Sequence, residues 1–253
     1  MSESPAEPFL TWLDAEHSFP PADKAWGADS FAPGLLAAGH ELHADLVLSA
    51  YRQGVFPWFS EAQPVLWWSP DPRMVLPLDG FRLHRSLRQS LKHHLNEPGF
   101  ALCFDRDFPQ VMQRCADQPR KGQKGSWIVP RMVQAYTELH RLGHAHSAEV
   151  WIHDRLVAGL YFVSLGRAVF GESMFTDIRD GSKMALAMLV SVGRRHGVPL
   201  IDCQQNTRHL ASLGAREIPR ADFIEALQAS QQRAAIDWRS ETLYWDTLNR
   251  PPL

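Results

Sequence analysis

Cysteine is scarce in this 253-residue sequence: Cys103, Cys115 and Cys203 are its only three, and no two form a CxxC pair. An odd, widely spaced set builds no disulfide framework and fits reduced thiols in a cytoplasm, which is the expected location. Long apolar runs are absent as well; none approaches the ~18 residues of a membrane span. The opening "MSESPAEPFLTWLDAEHSFPPAD" lacks the basic start and apolar core of a secretory leader. No GxxxxGK(S/T) or GxGxxG loop occurs, which removes support for nucleotide hydrolysis and dinucleotide binding. Twelve histidines are present, yet "HELH" (40–43) is not HExxH, and "HAH" (144–146) has no third ligand at clear spacing. Neither a metal nor a cofactor is expected.

What remains is an ordinary globular composition, 45% hydrophobic and 21% charged, long enough for one large domain or two smaller ones. The net charge of −2 speaks at first against nucleic acid, but it hides a gradient. Residues 1–30 carry six acids against Lys24, a net of −5, so the remainder is −2 − (−5) = +3. Within it, "FRLHRSLRQSLKHH" (81–94) has no acid, and Arg85, Arg88 and Lys92 fall at i, i+3, i+7 on one helical flank. Such a flank is either a solvated helix surface or a stripe for phosphates.

Aromatic residues crowd two proline-broken stretches, "YRQGVFPWFS" (51–60) and "WWSPDPR" (67–73). Gly54 and Pro57 rule out continuous helix in the first. Residues 43–54 read as a helix ended by Gly54, and the prolines at 64, 70, 72 and 77 suggest a domain boundary. Further on, the pattern predicts helices near 83–94, 108–117 and 130–142. Three strands at 147–152, 155–164 and 167–175 then form an antiparallel meander. A helix from Ser182 to about His196, with Ser182 as N-cap, leads to a buried strand (198–204) and helices near 206–213 and 220–231.

This order, strand–strand–strand–helix–strand–helix, matches the core of GNAT-like N-acyltransferases, whose strands splay beside the central helix. The expected fold is α+β: an N-terminal domain (1–75) with aromatic loops, a GNAT-like catalytic domain (76–235) with a mostly antiparallel splayed sheet, and a tail (236–253). Strand alternation puts Phe170, Glu172 and Met174 on one face, and Asp202 and Gln204 on one face with Cys203 opposite. Glu172, Asp202 and Gln204 would then converge at the splay. A loop suited to a coenzyme A pyrophosphate is missing; "TDIRDGS" stands there with two acids.

Taken together, "YRQGVFPWF", "WWSPDPR", "LHRSLR", "SWI", "LGHAHSAEVW", "FGESMF", "GSKMAL", "LIDCQ" and "HLASLGAREIPR" resemble the bacterial leucyl/phenylalanyl-tRNA–protein transferases, in order and spacing over about residues 30–230. The family's Ala-Ser-Lys before the central helix reads Gly181-Ser182-Lys183 here. The resemblance implies transfer of Leu, or Phe or Met, from aminoacyl-tRNA to the α-amine of proteins beginning with Arg or Lys, which marks them for degradation. It implies Tyr51, Trp58 and Trp127 as a stacking platform for the terminal adenosine, and Leu160, Met174, Leu186 and Leu189 as the aminoacyl pocket. Arg85, Arg88 and Lys92 would meet tRNA phosphates. Phe56, Phe59, Trp67 and Trp68 read instead as packing. Asp202, Gln204 and Glu172 are the expected catalytic group: Gln204 orients the amine, Asp202 polarises the Gln204 amide or relays a proton, and Glu172 faces the acceptor's cation. Two other readings stand beside this one, an acyltransferase with a coenzyme A donor and a non-catalytic binder of RNA ends.

Overall fold

The computed structural model describes residues 9–14, 18–118 and 128–249 of the chain. A four-stranded sheet has the order β1 (Thr11–Leu13), β2 (Leu35–Gly39), β4 (Val65–Trp68), β3 (Phe56–Pro57). Between β2 and β3 lies α1 (Ala44–Arg52), whose N-cap His43 accepts from the Leu46 amide at 3.3 Å. The helix buries Ala44, Val47, Leu48, Ala50 and Tyr51, while Leu46 is half-buried.

The proline-rich stretch after it is not irregular. β4 and β5 (Arg73–Pro77) occupy it, with Pro64 before one strand and Pro77 closing the other. β5 joins the larger sheet, whose order is β11 (Arg216–Ile218), β5, β10 (Leu200–Gln204), β9 (Ala168–Thr176), β8 (Arg155–Leu165), β7 (Ala145–Ile152), β6 (Phe100–Phe104). The expected meander is there as β7–β8–β9, turning at His153-Asp154 and Gly166, all three at positive φ. Every described pairing in this sheet is antiparallel except β9 with β10. The fold is α+β with a mostly antiparallel large sheet.

Helices cover both faces. One face packs α1, α3 (Phe108–Asp117), α4 (Pro130–Arg141) and α7 (Arg220–Gln231) around Tyr51, Tyr136, Tyr161, Phe170 and Phe223. The other packs α5 (Gly181–Arg195), flanked by α2 (Arg85–His94), α6 (Arg208–Ser212) and α8 (Trp245–Leu248). α5 is buried over most of its length, so its eleven inward residues run nearly all round the helix. Its N-cap is Asp180 in the left-handed region rather than Ser182. Asp180 anchors that end by accepting from Ser90 of α2 and Lys183, which holds its carboxyl below the usual range. Residues 236–249 are also structural: buried Trp238 lies against Phe104, Phe162 and His146, and the carbonyls of Thr247 and Leu248 accept from Arg194 of α5.

Candidate active site

The one parallel pair described in the larger sheet makes an opening. β9 and β10 run side by side only at Val169–Ile201 and Phe170–Asp202, then part. Each strand carries a bulge at that point. On β9, Tyr161 faces Ser173 but Phe162 faces Gly171, so Glu172 is the extra residue. On β10, Val75 faces Asp202 but Met74 faces Gln204, so Cys203 is extra. Bulges re-aim side chains and favour active sites. Here they overturn two parity expectations. Phe170 faces Tyr51 at 4.8 Å, whereas Met174 lies in the opposite core layer. Gln204, at φ +57°, lines the opening together with Cys203, while Asp202 does not.

The opening is a cavity of about 530 Å³. That is the size of a small-molecule site, for which ~300–1,000 Å³ is usual. Leu160, Met174, Leu186 and Leu189 all line it, with Ile201 and Leu210. Phe56, Pro57 and Trp58 close it from the smaller sheet. Glu172, Ser173, Gln204, Gln205, Thr207 and His209 supply its polar rim. The four expected pocket residues, Glu172, Gln204 and Trp58 therefore share one space.

The polar groups are wired tightly. Glu172 Oε1 accepts from the Tyr51 hydroxyl at 2.6 Å and from Gln204 Nε2 at 3.2 Å. The Tyr51 and Tyr136 hydroxyls lie 2.6 Å apart. The Gln204 amide turns its NH₂ end to Glu172 Oε1, which leaves the carbonyl end for an incoming donor. Burial pushes the Glu172 carboxyl up to about 8, against the lowering effects of Tyr51, Arg73 and Tyr136. Burial beside Glu172 also drives both tyrosines well above their ordinary range.

A raised carboxyl favours the fold most where it is protonated in both states and loses that advantage as pH climbs through its folded value. Wild-type stability relative to Glu172→Gln is therefore expected to fall between about pH 5 and pH 8, by a few kcal/mol. Thermal melts of both proteins across that window check this, and parallel curves would refute it.

Asp202 has a different place from the one expected. It is 1% exposed, and its two oxygens receive Arg73 Nε at 2.8 Å and Nη2 at 2.6 Å. Oδ1 also accepts the backbone amide of Gln204 at 3.0 Å, not its side chain. A carboxylate so occupied is a poor proton relay. Arg73 is itself 0% exposed, and loss of either partner alone strands a buried charge, at a cost of roughly 3–5 kcal/mol.

Tyr51 also needs correction. Its ring has 0% exposure and packs on Phe170, so neither face is open to a base; its hydroxyl serves Glu172 instead. Trp58 is half-buried at the cavity wall, with Trp68 beside it at 5.6 Å and the Trp68 indole N–H donating to the Trp58 carbonyl at 2.7 Å. Trp127 lies outside the described residues. Phe59 and Trp67 are buried packing, whereas Phe56 both packs and walls the cavity. Arg85 and Lys92 are exposed on α2 and Arg88 is half-buried, beside the inward Leu87 and Leu91. Arg73, Tyr136 and His209 were not anticipated. Arg73 closes the "WWSPDPR" stretch, which was its only signal.

Cys203 borders the cavity, and burial raises its thiol strongly, so it is no ready nucleophile. Asp105, His140 and His146 bring metal-type atoms within 4.8 Å of one another. The histidines already have partners: His146 has Asp105, within the cluster, at 2.7 Å and the Gly143 carbonyl at 3.2 Å, and His140 Nδ1 has the Ala145 carbonyl at 2.8 Å. Arg239 Nε stands 3.8 Å from the carboxylate and supplies the cation. This cluster pins β7 to the chain around it.

Comparison with known proteins gives the site its family. The family model described as leucyl/phenylalanyl-tRNA protein transferase matches residues 75–228, and the model of that family's N-terminal domain matches residues 40–71. A leucyl/phenylalanyl-tRNA–protein transferase of a Polaromonas species is 56% identical, covering 96% of this chain and 97% of its own. That of Albidiferax ferrireducens is 51% identical over 99% and 98%, and that of Paraburkholderia phytofirmans 53% over 91% and 94%. Among solved structures, L-PGS from Bacillus licheniformis is similar at 14% identity and a TM-score of 0.34, covering 70% of this chain and 57% of its own, too slight a likeness to argue from. With both family models spanning the residues that build the cavity, this chain belongs to the leucyl/phenylalanyl-tRNA–protein transferase family.

Proposed function

We propose that the cavity between β9 and β10 is where this enzyme moves Leu, or Phe or Met, from aminoacyl-tRNA to the α-amine of a protein beginning with Arg or Lys, marking it for degradation. The observation that carries the reading is the meeting of four apolar side chains, a stacking indole and the Glu172–Gln204 pair in one space. Leu160, Met174, Leu186 and Leu189 take the aminoacyl side chain. Trp58, with Trp127, holds the terminal adenosine; base–ring stacking is worth ~1–3 kcal/mol. Arg85, Arg88 and Lys92 meet phosphates of the acceptor stem.

The aminoacyl ester is already activated, and an α-amine with a pKa of ~7.7–8.0 is partly neutral near pH 7.5. Holding amine and ester at attack distance supplies much of the acceleration. Gln204, its NH₂ fixed on Glu172, offers its carbonyl to the attacking N–H. Glu172 faces the acceptor's cation, and an arriving positive charge favours the ionised carboxylate that burial opposes. The new N–C bond forms as the ester C–O bond breaks, and the electron pair leaves with the ribose oxygen, which takes up the amine's proton.

The fold reading that goes with this is a GNAT-like catalytic domain (76–235) behind an N-terminal domain (1–75), with 236–253 as a tail, in a cytoplasmic protein. The splay of β9 and β10 supports the GNAT-like element. No helix among the described residues is long and apolar enough to cross a membrane.

Radiolabelled Leu-tRNA and a peptide starting with Arg test the reading. Label is expected to reach that peptide, to miss one starting with Ala, and to disappear after RNase treatment. Dependence on coenzyme A, or tRNA binding without transfer, would overturn it. Within the pocket, Met174→Ala widens the wall and is expected to shift the Phe-to-Leu ratio of kcat/KM upward by about tenfold, since one or two methylene-sized contacts discriminate by ~1–3 kcal/mol. Competition between the two charged tRNAs measures it.

A further inference from the structure

Arg73 does not line the cavity, but it packs on Phe56, which does, and bonds to Asp202, two residues before the cavity-lining Gln204. Its guanidinium is wholly buried between the Phe56 ring at 4.9 Å and the Phe223 ring at 4.5 Å. Nη1 donates to the Gly54 carbonyl at 3.1 Å, and Ser69 Oγ donates to the same oxygen at 3.2 Å. Gly54 begins the aromatic loop that carries Trp58, and it stands at φ +74° where a Cβ would run into the Ile224 side chain. That loop is therefore locked at its root by backbone shape and by Arg73 together. The other two nitrogens grip Asp202, whose Oδ1 fixes the amide of Gln204.

Gln204 sits in the left-handed region, where a residue other than glycine stays only if its surroundings hold it. The bulge at Cys203 turns its side chain into the cavity, and the Asp202–Gln204 contact closes that bulge. A planar fork spreads its donors over three nitrogens, two on the Asp202 carboxylate and one on the Gly54 carbonyl; lysine has three donors as well, but on one nitrogen, and cannot keep the bidentate grip while reaching the carbonyl from the same position.

We propose that Arg73 is a positioning residue for transfer: it couples the loop that presents Trp58 to the strand end that presents Gln204, setting the distance between the held adenosine and the group that orients the amine. The assignment rests on the reading of the cavity given above. It goes further in naming one buried fork that ties donor grip to acceptor orientation.

The test compares wild type, Gln204→Ala, Arg73→Lys, Arg73→Met and Arg73→Met/Asp202→Leu, each by thermal melt and by steady-state transfer from Leu-tRNA to an Arg-peptide. Removing both charges relieves the stranded ion, so the double variant is expected to melt above Arg73→Met. Its kcat is nevertheless expected to stay about 100-fold below wild type, with the KM for the Arg-peptide little changed, because a displacement of about 1 Å costs that much. Arg73→Lys is expected to fold and to lose about tenfold in kcat. A purely structural ion pair gives the opposite split: stability and kcat return together in the double variant. A double variant within about threefold of wild-type kcat overturns the proposal, as does a fully active Arg73→Lys if the double variant does not fold. Wild-type transfer lost on Gln204→Ala upholds the site reading independently; unimpaired transfer there removes that reading and this inference with it.

Discussion

Gln204→Ala is expected to lower kcat for leucine transfer by about 100-fold while leaving the affinity for Leu-tRNA near wild type. The expectation follows from what the amide touches. Its NH₂ end is held by Glu172 at 3.2 Å, so its carbonyl is the end presented to an amine. Alanine keeps the backbone amide that Asp202 holds at 3.0 Å, so the bulge has no cause to unwind and the cavity walls stay in place. What is lost is the acceptor that aligns the nucleophile's lone pair and draws on its departing proton. The pocket for the leucyl side chain and the stacking ring are untouched. Single-turnover transfer from preloaded Leu-tRNA separates these steps. A variant that binds Leu-tRNA normally and transfers at the wild-type rate would deny Gln204 its role.

Trp58→Ala is the second large effect, and it has the opposite character. The ring forms a wall of the cavity at the end of a loop fixed by the Trp68 indole N–H on its carbonyl at 2.7 Å. That bond uses the backbone, so alanine keeps the loop while removing the platform. Loss of one base–ring contact, ~1–3 kcal/mol, corresponds to a rise in the KM for Leu-tRNA of roughly 5- to 150-fold. The rate from saturated enzyme is expected to fall far less, because Gln204 and Glu172 are unmoved. Trp58→Phe keeps a π-face and is expected to recover most of the loss. A KM for Leu-tRNA unchanged in Trp58→Ala would mean that the adenosine rests elsewhere.

The longer helices and the meander were readable because their signals are local, whereas the short strands of the N-terminal half were not. Gly143, Gly166 and Gly197, all at positive φ, punctuate the helices and hairpins where the sequence places breaks, and the meander follows from three β-rich runs joined by tight turns. Leu160, Met174, Leu186 and Leu189, which line one cavity, came from the resemblance and not from any local pattern. The strand faces were not readable. Counting alternate residues assumes an unbroken pleat, and the two strands that matter each insert one residue, Glu172 and Cys203, at the place where they part. One inserted residue moves everything beyond it to the other side, which is why Met174 and Gln204 lie across from where alternation puts them.

Tyr51, which the resemblance implied as a stacking ring, is carried inward by the stripe of α1 to Phe170 and Glu172. Arg73 and Tyr136 reach the site over separations of 129 and 36 residues, to Asp202 and Glu172. No local pattern encodes contacts of that range. Arginine in a proline-flanked strand reads as exposed until the sheet order shows that β5 lies between β10 and β11, its guanidinium enclosed by Phe56 and Phe223.

The most direct measurement is a crystal structure of the enzyme with a non-hydrolysable leucyl-adenosine analogue. Density is expected to put the leucyl branch among Leu160, Met174, Leu186 and Leu189, adenine against the Trp58 indole, and the acyl carbon within reach of an amine resting on the Gln204 carbonyl. An analogue bound away from the gap between β9 and β10, or with its side chain pointing out of it, would contradict the account.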